Sequence, residues 1–301
     1  MVPRQPFVVG TAQGSRRLVT RYLITGGGGM LATDLAEKLA SRDLVTLTRA
    51  QLDITDDAAV RVAVAGFDVV INAAAYTKVD DAETNEATAH LINAVGAGNL
   101  ARAAHSAGAR LVQPSTDYVF DGTASTPYPE DAPLDPVSAY GRTKADGERL
   151  VLEVNGDATY IVRTAWLYGA HGPNFAKTMR RLAGERERLS VVDDQVGQPT
   201  YTGDLTTQII ALLDSDAPAG IYHGTNSGQA SWFEFARAIF VEAGLDPERI
   251  QPTDSSSFVR PAPRPAYSVL GHDAWAKAGL EPMRDWREAL VDAAASGATT
   301  P

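Results

Sequence analysis

Apolar and polar positions along the chain follow two periods that take turns. "YLIT" (22–25) is a short apolar run of β type, and in "LATDLAEKLA" after it Leu31, Leu35 and Leu39 recur at the spacing of one helix face. Four glycines, Gly26 to Gly29, stand between them, so the first unit reads strand, tight loop, helix. "DLVTLT" predicts a second strand and "AAVRVAVAGF" a second helix. "DVVINAAA" (68–75) predicts a third strand, apolar on both faces as a buried parallel strand should be. From Glu83 to Gly108 the positions Leu91, Ile92, Val95, Leu100 and Ala104 predict one long helix ended by glycine. "ARLVQPS", "AYGRTKADGERLVLEV" and "ATYIVRTAWLYG" then continue as strand, helix and strand.

Alternation this regular predicts an α/β fold, a Rossmann-type doubly wound parallel sheet with right-handed crossovers, over residues 21–165. After Trp166 the rhythm breaks into one helix and a polar stretch marked by glycine and proline, which predicts a smaller C-terminal lobe over 166–301. "AGIYHGT" (219–225) reads as a strand that returns to the main sheet, so the division is not a single cut. "SSSFVRPAPRPAYSVL" (255–270) is expected to be an ordered loop, and residues 1–20 a flexible N-terminal extension. Ser15, Arg16 and Arg17 resemble a twin-arginine export signal, but the apolar run that follows is accounted for by the first strand and its glycine loop.

Composition narrows the chemistry. The 301 residues are 44% hydrophobic, enough for a substantial core. With 27 Lys plus Arg against 37 Asp plus Glu, the net charge of −10 argues against a nucleic-acid partner. No apolar run approaches the roughly 18 to 20 residues needed to span a bilayer, so no membrane partner is expected. The absence of cysteine excludes disulfides, thiolate nucleophiles and zinc-thiolate sites, and fits a reducing cytoplasm. Five scattered histidines offer no ligand spacing, and no metal is assigned.

The segment Gly26-Gly27-Gly28-Gly29-Met30-Leu31-Ala32 satisfies Gly-x-Gly-x-x-Ala between a strand and an amphipathic helix. Glycines there permit positive φ and close backbone approach, so a pyrophosphate can sit over the first N–H groups of the helix, where the dipole also favours negative charge. The second strand ends in "LTRA" rather than in a carboxylate. Arg49 could pair with a 2'-phosphate that a carboxylate would repel, which favours NADPH, with NADH as the alternative. Asp53 and Ile54 in "LDIT" are further cofactor candidates; Asp53 either caps the helix beginning near Asp56 or lies near the adenine.

In "SAYGRTKADGE", Tyr140 and Lys144 are four residues apart on one helix face. A nearby ammonium favours phenolate over phenol, lowering a pKa that starts near about 10 and suiting the tyrosine to proton transfer near neutrality. The pair gains meaning from its order in the chain. Ligands in such sheets bind outside the carboxyl ends of the strands, where Gly26 to Ala32, Ala73 to Thr77 and Ser115 to Asp117 all fall.

Here the sequence resembles the extended short-chain dehydrogenase/reductase superfamily, whose catalytic set is a Ser or Thr after a strand, a Tyr-x-x-x-Lys helix and often a helix asparagine, here Asn93. "INAAAYTKVDDAE", "STDYVFDG", "SAYGRTKADGE", "VRTAWLYG", "NFAKTM" and "DDQVGQPT" together resemble the dTDP-4-dehydrorhamnose reductase family, from Tyr22 to near the C-terminus. That resemblance implies NADPH-dependent reduction of a dTDP-sugar ketone, dTDP-4-dehydro-L-rhamnose, with the C-terminal lobe binding the sugar nucleotide. It implies Tyr140 as general acid, Lys144 as pKa modifier and ligand of the nicotinamide ribose, and Thr116 as hydrogen-bond partner of carbonyl and tyrosine. Gly29, Met30, Leu31, Ala75, Tyr76 and Thr77 match cofactor contacts. Thr116, Asp117 and Trp166 match sugar-nucleotide contacts, and Asn174, Phe175, Lys177 and Gln195 lie in matched lobe segments without individual roles. Ala32 replaces the third glycine of the family loop, an accepted exchange where helix packs on strand. Two other activities stay open: a ring-contracting dTDP-dihydrostreptose synthase on the same ketosugar, and a non-catalytic dinucleotide-binding regulatory subunit. A homodimer and a magnesium bridge between subunits are left open as well.

Overall fold

The computed structural model describes residues 19–301; the expected extension, including Ser15 to Arg17, falls almost wholly outside them. Six strands form the main sheet: β1 (Arg21–Gly27), β2 (Asp43–Thr48), β3 (Val69–Asn72), β4 (Arg110–Thr116), β5 (Thr159–Thr164) and β6 (Gly220–His223). All pair in parallel, in the spatial order β6-β5-β4-β3-β1-β2. The chain leaves β1 for β2 on one side and returns to β3 on the other. That reversal is the topological switch point of an open α/β sheet, where a crevice opens at the carboxyl ends of the strands.

Alternate strand residues feed two cores, one on each face, as the period of two requires. Tyr22, Ile24, Val69, Ile71, Tyr160 and Val162 pack with α1 (Met30–Lys38) and with Leu205 and Ile209 of the helix Thr202–Asp214. Leu23, Val70, Leu111 and Ile161 pack instead with α2 (Asp57–Val64) and with Leu100 and Ala104 of α3 (Ala97–Ala107). A third core, around Phe235, Phe240, Trp286 and Leu290, is built wholly from residues beyond Trp166. Gly220–His223 belongs to the main sheet, beside β5 in register Ile221 to Ile161. No helix among the described residues is long and apolar enough to cross a membrane.

Three expectations are corrected. The third strand stops at Asn72 rather than running to Ala75: the Asn72 side chain accepts from Thr25 Oγ1 at 2.8 Å and donates to Gln113 Oε1 at 2.8 Å, tying β3 to both neighbouring strands where its backbone turns away. The long helix from Glu83 is instead a short α segment Glu86–His90, a π stretch Leu91–Gly96, and α3, which ends on Gly108 at φ 67°. The strand expected to continue through "AWLYG" ends at Thr164, since Trp166 adopts φ 45° and turns Leu167–Tyr168 onto Thr200–Tyr201.

Candidate active site

The glycine loop closes on the switch point. Gly26 (φ 76°) and Gly28 (φ 89°) occupy the left-handed region, and a Cβ on Gly26 would lie 2.5 Å from the Ala74 nitrogen. The turn can therefore lie against the Ala73 to Ala75 segment only because it has no side chain there. Gly29, the N-cap of α1, offers no capping side chain, which leaves the first-turn N–H groups of Met30 and Leu31 for an anion. Ala32 is 1% exposed and packs into the core under the sheet. A pyrophosphate fits this cradle.

Arg49 stands exposed past the end of β2. Asp53 does not cap the following helix: its Oδ1 accepts from the Thr55 N–H at 3.0 Å and hydroxyl at 2.8 Å, while Asp56 caps α2 through Ala58 and Ala59. Those bonds from Thr55, and the charge of Arg49, hold the Asp53 carboxyl below the usual range. Ile54 is buried against Gly96, and its carbonyl accepts from Asn99 Nδ2 at 2.9 Å.

Asn93 links this side of the crevice to the Tyr/Lys helix. Its Oδ1 accepts from Tyr76 N–H at 2.8 Å, and its Nδ2 donates to the Tyr76 carbonyl at 3.1 Å and to Thr143 Oγ1 at 3.0 Å. The amide is spent on holding the Ala75 to Thr77 loop. The π stretch that carries Asn93 is the kind of local widening that recurs at functional sites.

The helix α4 (Ala139–Asn155) starts at Ser138, whose hydroxyl accepts from Gly141 N–H at 3.1 Å. A Cβ on Gly141 would lie 2.2 Å from the Tyr118 carbonyl oxygen, so glycine lets the helix sit directly on the loop after β4. Lys144, 5% exposed, donates from Nζ to the Pro114 carbonyl at 2.7 Å. Burial pushes its ammonium down to about 8, opposed by the charge of Glu148. Glu148 is paired in turn with buried Arg163 at 2.8 Å.

Tyr140 meets Tyr118 edge to face, with centroids 5.7 Å apart. Its acidity departs from the expectation drawn from spacing. Burial pushes the phenol up to about 12, opposed by a hydrogen bond with Thr116 and reinforced by Asp117. Desolvation dominates because the charged form of tyrosine is the one that loses water, and Lys144 is not among the groups that set this acidity. At neutral pH the group is a phenol, the form a proton donor needs.

Thr116 ends β4 and donates to Asp117 Oδ1 at 3.0 Å. Asp117 is 2% exposed, its Oδ2 has no hydrogen-bond partner, and burial raises it to about 6 against hydrogen bonds from Ser268 and Thr116. Ser115 Oγ and Thr164 Oγ1, at the ends of the neighbouring strands β4 and β5, are likewise buried without a partner. Buried polar atoms left without a partner are costly, and these three lie at the carboxyl ends of β4 and β5, where ligands of such sheets bind.

Beyond this cluster opens a cavity of about 640 Å³. Its walls carry four arginines, Arg186, Arg188, Arg260 and Arg264, with Phe175, Met179, Trp232 and Gln195. Trp166 is stacked on Trp232, ring centroids 3.6 Å apart, so Trp232 rather than Trp166 forms the cavity wall. Asn174 caps its helix through Lys177 N–H at 3.1 Å, and Lys177 Nζ donates to the Ala170 carbonyl at 2.7 Å. The arginines and Trp232 escape sequence reasoning because they lie on segments dozens of residues apart, brought together only by tertiary packing. An aromatic and cationic wall suits an anionic nucleotide: rings for a base or sugar face, guanidinium forks for phosphate.

Known proteins resemble this chain along nearly its whole described length. The family model described as the RmlD substrate binding domain matches residues 20–298. A dTDP-4-dehydrorhamnose reductase of Mycolicibacterium smegmatis is 51% identical over 289 residues, covering 94% of this chain and 88% of that protein. A dTDP-4-keto-6-deoxy-D-glucose reductase of Streptomyces niveus is 48% identical, covering 92% of this chain and 97% of its own. The structure of a dTDP-4-dehydrorhamnose reductase from Bacillus anthracis in complex with NADP superimposes with a TM-score of 0.89 at 40% identity, covering 93% of this chain and 100% of that one.

Proposed function

The chain belongs to the RmlD substrate-binding family, and from that premise we propose that it is an NADPH-dependent reductase converting the C4 ketone of dTDP-4-dehydro-L-rhamnose to the alcohol of dTDP-L-rhamnose. The observation that carries the reading is convergence. The glycine cradle, Thr116, Tyr140 and Lys144 meet at the carboxyl ends of the strands, beside a cavity walled by arginines and aromatic rings.

Gly26, Gly29, Met30 and Leu31 would hold the pyrophosphate of the cofactor, Arg49 would pair with its 2'-phosphate, and Ala75, Tyr76 and Thr77 would flank it on the other side of the crevice. NADPH, when bound, supplies the hydride. The Tyr140 phenol donates its proton to the substrate oxygen as negative charge develops there. Thr116 would turn its hydroxyl from Asp117 to the same oxygen, and the buried Lys144 ammonium would supply positive charge and a donor to the nicotinamide ribose. Asp117 and the arginine wall hold the sugar nucleotide. The protein acts in the cytoplasm, in keeping with a cysteine-free chain and a soluble substrate.

The Streptomyces niveus relative supports a second reading, in which the ketosugar has the D configuration. Incubating the pure protein with either dTDP-4-keto-6-deoxy sugar and NADPH or NADH, with product identification by NMR, decides between them. The expected product is dTDP-L-rhamnose, formed faster with NADPH. A ring-contracted product assigns the dihydrostreptose activity instead, and the absence of cofactor oxidation with both sugars overturns the assignment.

A further inference from the structure

Asp80 lies in the four-residue helix Val79–Ala82, just past the cofactor-loop residues Tyr76 and Thr77. Its carboxylate reaches the proline-rich segment far along the chain: Oδ1 accepts from Arg264 Nη2 at 2.8 Å and from Ala262 N–H at 3.3 Å, and Oδ2 lies 3.9 Å from Arg260 Nη1. One carboxylate thus gathers two arginines of the cavity wall. The Arg264 guanidinium in turn lies over the Tyr118 ring, 5.9 Å from its centroid. Tyr118 meets Tyr140 at 5.7 Å with the rings inclined by 75°.

The segment is also wedged from its other side. A Cβ on Gly122 would fall 2.3 Å from Pro265 Cβ, and Tyr267 N–H donates to the Gly122 carbonyl at 3.0 Å. Arg264 is therefore held between the Asp80 carboxylate and the Tyr118 ring, with the Tyr118 loop fitted to the segment that carries the arginine.

We propose that Asp80 is a positioning residue for Tyr140: by holding Arg264 across the face of Tyr118, it fixes the ring against which the phenol is seated. The proposal rests on the reading of Tyr140 as proton donor. Each contact in the chain is modest, a cation over a ring and an edge-to-face pair. Proton transfer, however, tolerates little displacement, and a shift of about 1 Å can cost on the order of 100-fold in rate. The three groups also share one field: burial raises the Tyr118 phenol, the Arg264 charge opposes that shift and the Asp80 charge adds to it.

The test uses the full chain and the variants Asp80→Asn, Asp80→Glu, Arg264→Gln and the Asp80→Asn/Arg264→Gln double mutant. The readouts are kcat, KM for both substrates, and NMR of ¹³Cζ-labelled tyrosines assigned with Tyr118→Phe and Tyr140→Phe. Asp80→Asn is expected to lower kcat about tenfold while leaving the NADPH KM within about twofold, and to shift the Tyr118 and Tyr140 resonances. Asp80→Glu, which keeps the charge, recovers most of the kcat. The double mutant falls no further than Arg264→Gln alone, because both residues act through one chain of contacts. A Tyr140 resonance that stays put in Asp80→Asn, a wild-type kcat, or losses that multiply in the double mutant overturn the proposal. If the wild-type protein reduces no dTDP-ketosugar, the catalytic reading fails while the tyrosine resonances still decide the positioning.

Discussion

Lys144 Nζ donates a 2.7 Å hydrogen bond to the carbonyl oxygen of Pro114, tethering the ammonium of the Tyr/Lys helix to the strand that ends in Thr116. Burial lowers this ammonium to about 8, so it is charged at neutrality and loses its proton as pH rises through that value. Catalysis that depends on the positive charge should therefore hold steady below about pH 7.5 and decline above about pH 8. A pH series of kcat/KM for NADPH reads this limb. Lys144→Arg should move the decline to higher pH, and a wild-type profile flat to about pH 10 would contradict the assignment.

Tyr140→Phe removes one oxygen from a ring that keeps its edge-to-face contact with Tyr118. The fold and the ketosugar KM should change little, while kcat falls by roughly 100- to 10,000-fold, the range for a lost general acid. Turnover at saturating substrate checks this, and wild-type kcat in the variant would remove Tyr140 from the reaction.

How far the sequence revealed these features depends on whether the information is local. Periodicity located the six sheet strands and the helices between the first five of them, though not Thr202–Asp214, which packs on the same sheet, because a half-buried element writes its geometry into neighbouring residues. The glycine loop and the Tyr140/Lys144 spacing were legible for the same reason. What spacing could not convey was burial: it placed an ammonium near Tyr140 but not the desolvation that raises the phenol to about 12. Nor could it show that Asn93 would reach the Tyr76 backbone from a π stretch, or that Arg186 and Arg264 would share a cavity. Those are products of tertiary packing between segments with no common period.

The Asn93 clamp gives a further expectation. Its 3% exposed amide satisfies both the N–H and the carbonyl of Tyr76 and reaches Thr143, whose hydroxyl donates to the Tyr140 carbonyl at 2.8 Å. Asn93→Leu leaves the Tyr76 N–H and carbonyl without these partners and should cost about 1–3 kcal/mol of stability. It should also raise the NADPH KM, because Tyr76 and Thr77 line the cofactor crevice in the proposed reading. Urea midpoints and initial rates measure the two effects, and a variant unchanged in both would show that the loop holds itself.

Acid stability follows from two buried histidines and one buried carboxyl. The His223 Nδ1 faces the Gly271 carbonyl at 2.8 Å, so it carries the hydrogen, and Nε2 faces the Arg163 guanidinium at 3.3 Å. Protonating it would place two cations together in the core, and burial, followed by the Arg163 charge, lowers it from 6.5 to about 3. Burial lowers His272 from 6.5 to about 4. Below about pH 6.5 the unfolded chain therefore binds two protons that the folded chain refuses, which lowers stability on acidification. Asp117 acts the other way, since its folded value of about 6 lies above its ordinary value of 3.8 and the folded chain takes up that proton first. Between about pH 6 and 5, above the range where most surface carboxylates titrate, the net difference is about one proton, or on the order of 1.4 kcal/mol per pH unit. Urea unfolding at several pH values tests the balance. His223→Gln should bring the slope near zero in this window, and Asp117→Asn should steepen it toward two protons, so a slope unmoved by either change would rule out both groups as its source.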